Sequence, residues 1–376
     1  LTLQLRYIAK TFKAMRNCSG DRSPYIYRKY EGTRSLAPNA EIGWAIMGTE
    51  TIATEHMVSA IRSIGHLPLW VFSRNLQYAE AFASDLDISN ATNDLTSVWA
   101  APQVRFVYVS ATRDRRPYHV AAAARAGKHI LCDGPLCDDR EQAAQLVKLC
   151  HDMKVTLAVH HVARASNVHQ TMKRLIRDGD IGQLQSIIVV RGGPHQPPPQ
   201  RRGQGESAAG DIFFDAAIES IDLVRYLTDA EPRQISGLKK VKDELPLHLA
   251  FLLRMNDGCI VQSHESFATS DIEDMVLVAG NKGSLIANGT LNGRGAGTLT
   301  RRIAGKNELI PIRERDVHAA AMHDFITGLH GRPRWLSTGE DSISNLHTIE
   351  ALQTSVKTGE LVDLHYMSAT GTGAPS

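Results

Sequence analysis

The fold is decided by residues 42–74, "IGWAIMGTETIATEHMVSAIRSIGHLPLWVFSR". The run from Ile42 to Met47 is apolar and too short for a helix, which marks a buried strand. Gly48 follows at once, where a chain leaving a strand has to turn sharply. Residues 51–65 then carry apolar side chains at three- and four-residue spacing as far as Gly65, the pattern of a helix with one buried face. Residues 67–74 return to a short apolar run. Strand, glycine turn, helix and strand make the βαβ unit of a parallel sheet.

The alternation continues outward from this unit. Residues 104–112, 128–133 and 155–161 read as further strands, and 75–86, 117–127 and 139–153 as the helices between them, with Gly127 closing one. Residues 41–162 are therefore expected to form a doubly wound Rossmann domain, whose ligands sit at the carboxyl ends of the strands. After a helix over 167–180 the texture changes: 184–193, 234–242, 247–255, 258–268 and 274–280 are strands with one long helical pattern, 211–229, among them. That order predicts a second, α+β domain over 163–376 with a mostly antiparallel open sheet. The Pro-rich stretch "GPHQPPPQRRGQG", residues 193–205, excludes regular structure and is long enough to be functional. Two late helices, near 319–331 and 340–360, are expected to pack back on one of the domains.

Composition narrows the class. Of 376 residues, 43% are hydrophobic and 22% charged, which suits a globular chain and excludes a disordered or fibrous one. No apolar run approaches the roughly 20 residues of a membrane helix, so no membrane partner is expected. The net charge of +2 has a local source: residues 1–40 carry eight Lys or Arg against Asp21 and Glu31, which leaves the other 336 residues at −4. A mildly acidic body argues against nucleic acid. The basic, amphipathic residues 1–40 read as an extension or an organelle-targeting segment, on a chain otherwise expected to be cytoplasmic. Cys18, Cys132, Cys137, Cys150 and Cys259 are scattered thiols rather than a disulfide framework or a metal site.

Three clusters carry chemistry. "MGTETIA" has the Gly48 of a dinucleotide turn but Glu50 where a second glycine belongs, and a carboxylate there repels a diphosphate. Strand two ends in Ser73 and Arg74; a hydroxyl beside a guanidinium suits the 2′-phosphate of NADP better than the ribose of NAD, although Arg74 could equally be a solvated strand end. Asp215, Glu219 and Asp222 have i, i+4, i+7 spacing on one helical face. Facing a cleft, they would repel one another, raise one pKa and give an acid and base pair; otherwise Asp215 is a cap partner and Glu219 is solvated. A metal would need His160 or His161, of which only one can face the site, because neighbours on a strand point opposite ways. Arg113 and Arg116 would favour an anionic ligand if they line the cleft.

Taken in order, "WAIMGTETIATEH", "VYVSAT", "AAAARAGKHILCDGPL", "LIRDGDIG", "AGDIFFDAAIESIDLVRYLTDAEP", "LVAGNKGSLIANG" and "GEDSISNLHTIEALQTSVKTGELVDL" follow the layout of a known family. Over residues 42–364 the chain resembles the glucose–fructose oxidoreductase, inositol dehydrogenase and MocA family, and most of all its 1,5-anhydrofructose reductase-like sugar dehydrogenase branch. The resemblance implies NADP, or NAD, as cofactor, a small sugar-like or anionic substrate, and a homo-oligomer built through the second sheet. It implies cofactor contacts at Gly48, Thr49, Ile52, Ser73, Arg74, Ser110, Ala111, Thr112, Gly134 and Arg164. It also implies a degenerate catalytic site. The family's Glu-Lys-Pro stands here as Asp133, Gly134 and Pro135, and its helix histidine as Glu219. With both usual proton groups absent, Glu219, Asp215 and Asp133 are the catalytic candidates. The expected function is a sugar or polyol oxidoreductase with altered acid and base groups; the alternatives are a non-redox sensor, regulator or partner subunit, or redox-neutral lyase or hydrolase chemistry on the same scaffold.

Overall fold

The computed structural model describes residues 42–49, 52–193, 210–242, 245–330 and 335–366. The basic extension 1–40, Glu50 and all of the Pro-rich stretch except Gly193 lie outside the described residues.

The apolar run that opens the first βαβ unit is the central strand β1 (Gly43–Met47), buried along its whole length. Helix α1 (Ile52–Ser63) crosses to β2 (Leu67–Phe72), which pairs parallel with β1. Helix α2 (Leu76–Asp85) is started by Asn75, whose side chain accepts the Gln77 N–H, and leads to the short strand β3 (Asn90–Thr92). Helix α3 (Leu95–Ala100) precedes β4 (Val104–Val109), which returns to the other side of β1. From there α4 (Arg116–Arg125), β5 (His129–Asp133), α5 (Arg140–Asp152) and β6 (Leu157–His160) extend the parallel sheet outward. The resulting order, β6-β5-β4-β1-β2-β3, reverses at β1 and β4. A crevice opens at the carboxyl ends of strands where the order reverses, so the topology places a ligand site beside Gly48 and Ser110.

Two short helices, α6 (Val162–Ala165) and α7 (Asn167–Arg177), lead into the second sheet. Its strands are β7 (Leu184–Gly192), β8 (Pro232–Lys242), β9 (Leu245–Met255), β10 (Ile260–Ser266), β11 (Met275–Gly280), β12 (Gly283–Asn288), β13 (Thr298–Ile303) and β14 (Lys306–Leu309). All pairings in this sheet are antiparallel except that of β7 with β10. Between β7 and β8 a π-helical turn over Phe213–Ala217 runs into α8 (Ile218–Thr228), which is buried on nearly every side. Leu249, Phe251 and Leu253 of β9 face the core, whereas Leu252 between them is 51% exposed, so one face of the sheet is left open.

The late chain joins the two sheets. Helix α9 (Val317–Leu329) packs on α1, and strand β15 (Ser337–Thr338) adds antiparallel to the β6 edge of the first sheet. Helix α10 (Gly339–Thr358) begins with a reciprocal cap between Thr338 and Asp341 and ends at the left-handed Gly359. It lies against both α5 and β8 before β16 (Val362–Asp363) closes the edge of the second sheet. One continuous apolar cluster therefore runs from Val107 and Ile130 of the first sheet to Ile235 and Leu253 of the second.

Candidate active site

Gly48 sets the first half of the site. Its φ is +102°, and a Cβ there would lie 2.9 Å from both the nitrogen and Cα of Ala111. Only glycine lets the end of β1 turn this close to the end of β4. The Gly48 N–H donates to Phe72 O at 2.9 Å, and the Ser110 N–H donates to Met47 O at 3.0 Å. The carboxyl ends of β1, β2 and β4 are thereby tied into one cradle, with Thr49, Ala111 and Thr112 around it. Ile52 opens α1 from the same turn. A backbone cradle that a side chain would fill is what a diphosphate needs, so the described residues of the turn fit a dinucleotide; Glu50, whose carboxylate opposes one, lies outside them.

Ser73 and Arg74 leave β2 beside that cradle. The Ser73 N–H is held by Thr92 O, while Arg74 is exposed and forms no hydrogen bond or ion pair among the described residues. Its charge is felt by His119: burial first, and Arg74 second, push that imidazole down to about 4. Arg113 and Arg116 are placed differently. Arg113 sits among Asp138, Asp211 and Asp215, with its guanidinium over the Phe214 ring. Arg116 is buried and donates to the carbonyls of Ala111 and Pro135. Both guanidinia are already engaged in holding loops.

The second half of the site begins where β5 ends. Asp133 receives the Tyr108 hydroxyl at 2.6 Å, with Arg116 at 3.9 Å, and burial raises its pKa. Gly134 follows, and a Cβ placed on it would meet Cε1 and Nδ1 of His161, each at 2.8 Å. That imidazole is 1% exposed, and His161 stands between β6 and α6 as the N-cap residue of α6, with no side-chain cap hydrogen bond. Its Nδ1 donates to Glu219 Oε1 at 2.6 Å, and its Nε2 lies 4.0 Å from Asp222. Burial acts to lower the His161 pKa, but Asp222 and Glu219 outweigh it and raise it to about 9. His160, on the opposite face of the strand, packs edge-on against His318 instead, and burial leads in pushing it down to about 3.

The three carboxylates at 215, 219 and 222 meet three different cations rather than one another. Asp215, in the π-helical turn, takes Arg113 at 3.2 Å and the Asp211 N–H at 2.8 Å. Glu219 takes His161. Asp222 is wholly buried and accepts both arms of Arg164 at 2.7 Å together with Asn345 at 2.8 Å. Burial alone would raise the Asp222 pKa; Arg164 and His161 hold it well below the usual carboxylate range. The mutual repulsion that the spacing suggests does not arise, because the fold supplies a partner for each member. Arg164, with its remaining arm on Asp341, is locked in this ion network behind the site.

A cavity of about 340 Å³ lies at the second half of the site. Gly134, Asp215 and Glu219 line it, together with Ser166, Phe214 and the β12–β13 connection at Thr290–Asn292. Arg191 reaches it from β7, with one arm on Leu291 O and its Nε 3.6 Å from the wholly buried Glu265. Of the residues singled out in the sequence, Gly134, Asp215 and Glu219 thus share one cavity, Asp133 lies beside it, and Gly48, Ser73 and Arg74 occupy the strand ends of the Rossmann sheet. Arg191 and Thr290 carry no role in the sequence reading, and His161 enters it only as one of two possible metal ligands; the doubled histidine at residues 160 and 161 is its local sign.

Residues 42–161 match the oxidoreductase family with an NAD-binding Rossmann fold, and residues 169–286 match the GFO/IDH/MocA C-terminal domain. The chain belongs to the GFO/IDH/MocA oxidoreductase family. Among relatives in this family, the 1,5-anhydro-D-fructose reductase of Ensifer adhaerens is 27% identical over 85% of this chain and 98% of its own length. The D-xylose 1-dehydrogenase (NADP(+)) 2 of Haloferax volcanii is 22% identical over 85% and 99%. The aldose-aldose oxidoreductase from Caulobacter crescentus superposes with a TM-score of 0.77 at 21% identity, covering 86% of this chain and all of that one. An oxidoreductase from Agrobacterium radiobacter, solved with NAD+, L-tartaric acid and magnesium, gives 0.76 at 17% identity over 86% and 98%. Residues 42–161 are therefore an NAD(P)-binding Rossmann domain, and the open sheet belongs to the family's C-terminal domain. Among the described residues no helix is long and apolar enough to cross a membrane.

Proposed function

We propose that this GFO/IDH/MocA protein is an NADP-preferring oxidoreductase acting on a hydroxyl or carbonyl carbon of a sugar or polyol, with Glu219 as the group that exchanges the proton. The observation that carries the reading is the Glu219 carboxylate on the cavity wall, backed at 2.6 Å by the buried His161. A bound nicotinamide supplies the hydride acceptor for oxidation and the donor for reduction. In the oxidation direction Glu219 accepts the hydroxyl proton through the oxygen that His161 leaves free, and in reduction it returns it. Asp215 is held by Arg113 beside it and is placed to accept a second substrate hydroxyl. Phe214 and Val162 give the cavity apolar walls beside Glu219.

Gly48, Thr49, Ile52, Ser110, Ala111 and Thr112 hold the diphosphate side of the dinucleotide. Ser73 and Arg74, which has no hydrogen bond or ion pair among the described residues, support NADP over NAD, since a guanidinium at a strand end suits a 2′-phosphate. Arg74→Ala is expected to lower the preference for NADPH over NADH by about 10- to 100-fold, the worth of a charge-assisted contact. A titration of the full chain with each reduced cofactor, following nicotinamide fluorescence, reads this directly, and an unchanged preference would remove Arg74 from the site. The open face of the second sheet, with Leu238 76% exposed, supports a homo-oligomer.

The experiment that tests the function is a screen of aldoses and polyols with NADP+, and of their ketones with NADPH, monitored by nicotinamide absorbance. Turnover supports the reading. Tight cofactor binding without turnover on any of them would favour a sensor or partner subunit instead.

A further inference from the structure

His161 is the most constrained titratable group near the cavity, yet it does not line it. It stands behind Glu219, and three elements close on it. From α8 come Glu219 and Asp222, from α6 comes Arg164, and just after β5 comes the bare backbone of Gly134. Its neighbour His160 turns away toward His318. The imidazole lies so close to Gly134 that a Cβ there would sit 2.8 Å from Nδ1, the very atom that holds Glu219. Real side chains do not tolerate that approach, so any residue other than glycine would displace the ring. The ring is 1% exposed, so its packing resists a shift away from Gly134, and any such shift alters its 2.6 Å contact with Glu219.

We propose that Gly134 and His161 act as one positioning unit, in which the missing side chain at 134 makes the space for the imidazole that aims Glu219 into the cavity. The unit explains two departures from the family pattern together. A lysine at 134 and a histidine at 219 are not simply lost; the imidazole is supplied from β6, and the carboxylate it holds takes the place on the cavity wall. This rests on the proposed oxidoreductase reading for its catalytic meaning, but not for its geometry. His161 donates from Nδ1 to one oxygen of Glu219, which leaves the other oxygen directed at substrate. The positive ring also lies between Glu219 and Asp222, so that neither carboxylate faces the other unscreened.

The unit is tested by histidine ring NMR on the full chain, with the His161 signal identified by its loss in His161→Asn. In the unliganded protein His161 is expected to titrate near 9. Gly134→Ala pushes the ring off Glu219 and is expected to bring the midpoint down by about one pH unit or more, that is, at least tenfold in the proton affinity of the ring. Glu219→Gln removes the partner charge without crowding the ring and is expected to lower the same midpoint, which keeps the test open if Gly134→Ala does not fold. A wild-type midpoint at or below the ordinary histidine value, or a midpoint unmoved by Glu219→Gln, would overturn the unit. In turnover, kcat/KM is expected to fall above pH 9 in the wild type and to lose that limb in His161→Asn, a change that a merely structural role would not produce. Failure of the NMR result with turnover intact would reject the unit alone; the NMR result with no turnover would reject the oxidoreductase reading alone.

Discussion

Glu219→Gln is expected to lower kcat/KM for sugar or polyol oxidation by about 10²- to 10⁴-fold, the usual contribution of a positioned proton carrier. The substitution is chosen because it separates chemistry from shape. A glutamine oxygen can still accept the His161 Nδ1–H that now reaches Glu219 at 2.6 Å, so the side chain stays seated on the cavity wall. The amide cannot take a proton from substrate. Cofactor affinity is expected to be unchanged, since the cradle at Gly48 and the Ser73–Arg74 strand end lie on other elements. Steady-state rates with NADP+ measured beside the cofactor titration check both halves. A loss of less than threefold would show that another group carries the proton.

Asp222→Asn carries the second large effect, on stability. Asp222 is wholly buried and is the single anion on which both arms of Arg164, the Asn345 amide and the Ser337 hydroxyl converge. Asparagine keeps the size of the side chain but leaves the 6%-exposed Arg164 without half of its counter-charge. Breaking a buried ion pair from one side costs about 3–5 kcal/mol, because the surviving charge is uncompensated. Chemical denaturation should read a loss of this size, partly recovered in the Asp222→Asn, Arg164→Met double variant, where no buried guanidinium remains. Full additivity of the two single changes would mean that the network is not coupled. The same network explains why Arg164, expected beside the cofactor, spends its donors on Asp222 and Asp341.

The parts legible in the sequence are those with a strong local period. The buried run at β1, the glycine turn and the helix that follows define a parallel unit by themselves, and four more strands follow from the same alternation. Beyond residue 280 the sequence reading names no strand, so β12, β13 and β14 are absent from it, and two others are too short for a period. "NAT" at β3 is three residues with two polar members, and β15 is two residues held only by its pairing with β6. The parallel pairing of β7 with β10 cannot be read from either strand alone, because it depends on the order in which distant segments add to the sheet. At the site, the spacing of 215, 219 and 222 singles out three carboxylates, of which Asp215 and Glu219 line the cavity and Asp222 is buried behind it, but their partners Arg113, His161 and Arg164 lie on other elements. The partner of Glu219 is 58 residues away, and the sign that invited it is an absence, the missing side chain at Gly134.

Whether the site is rebuilt or broken is decided most directly by the turnover of Gly134→Lys. If His161 occupies the space that a side chain at 134 needs, restoring lysine displaces the imidazole from Glu219, and kcat/KM for sugar or polyol oxidation falls by about 10²-fold, as expected when a reacting group is misplaced by an ångström or so. A rise in kcat/KM over the wild type would show the reverse: that the lysine position still works and that Gly134 is a defect rather than the seat of His161.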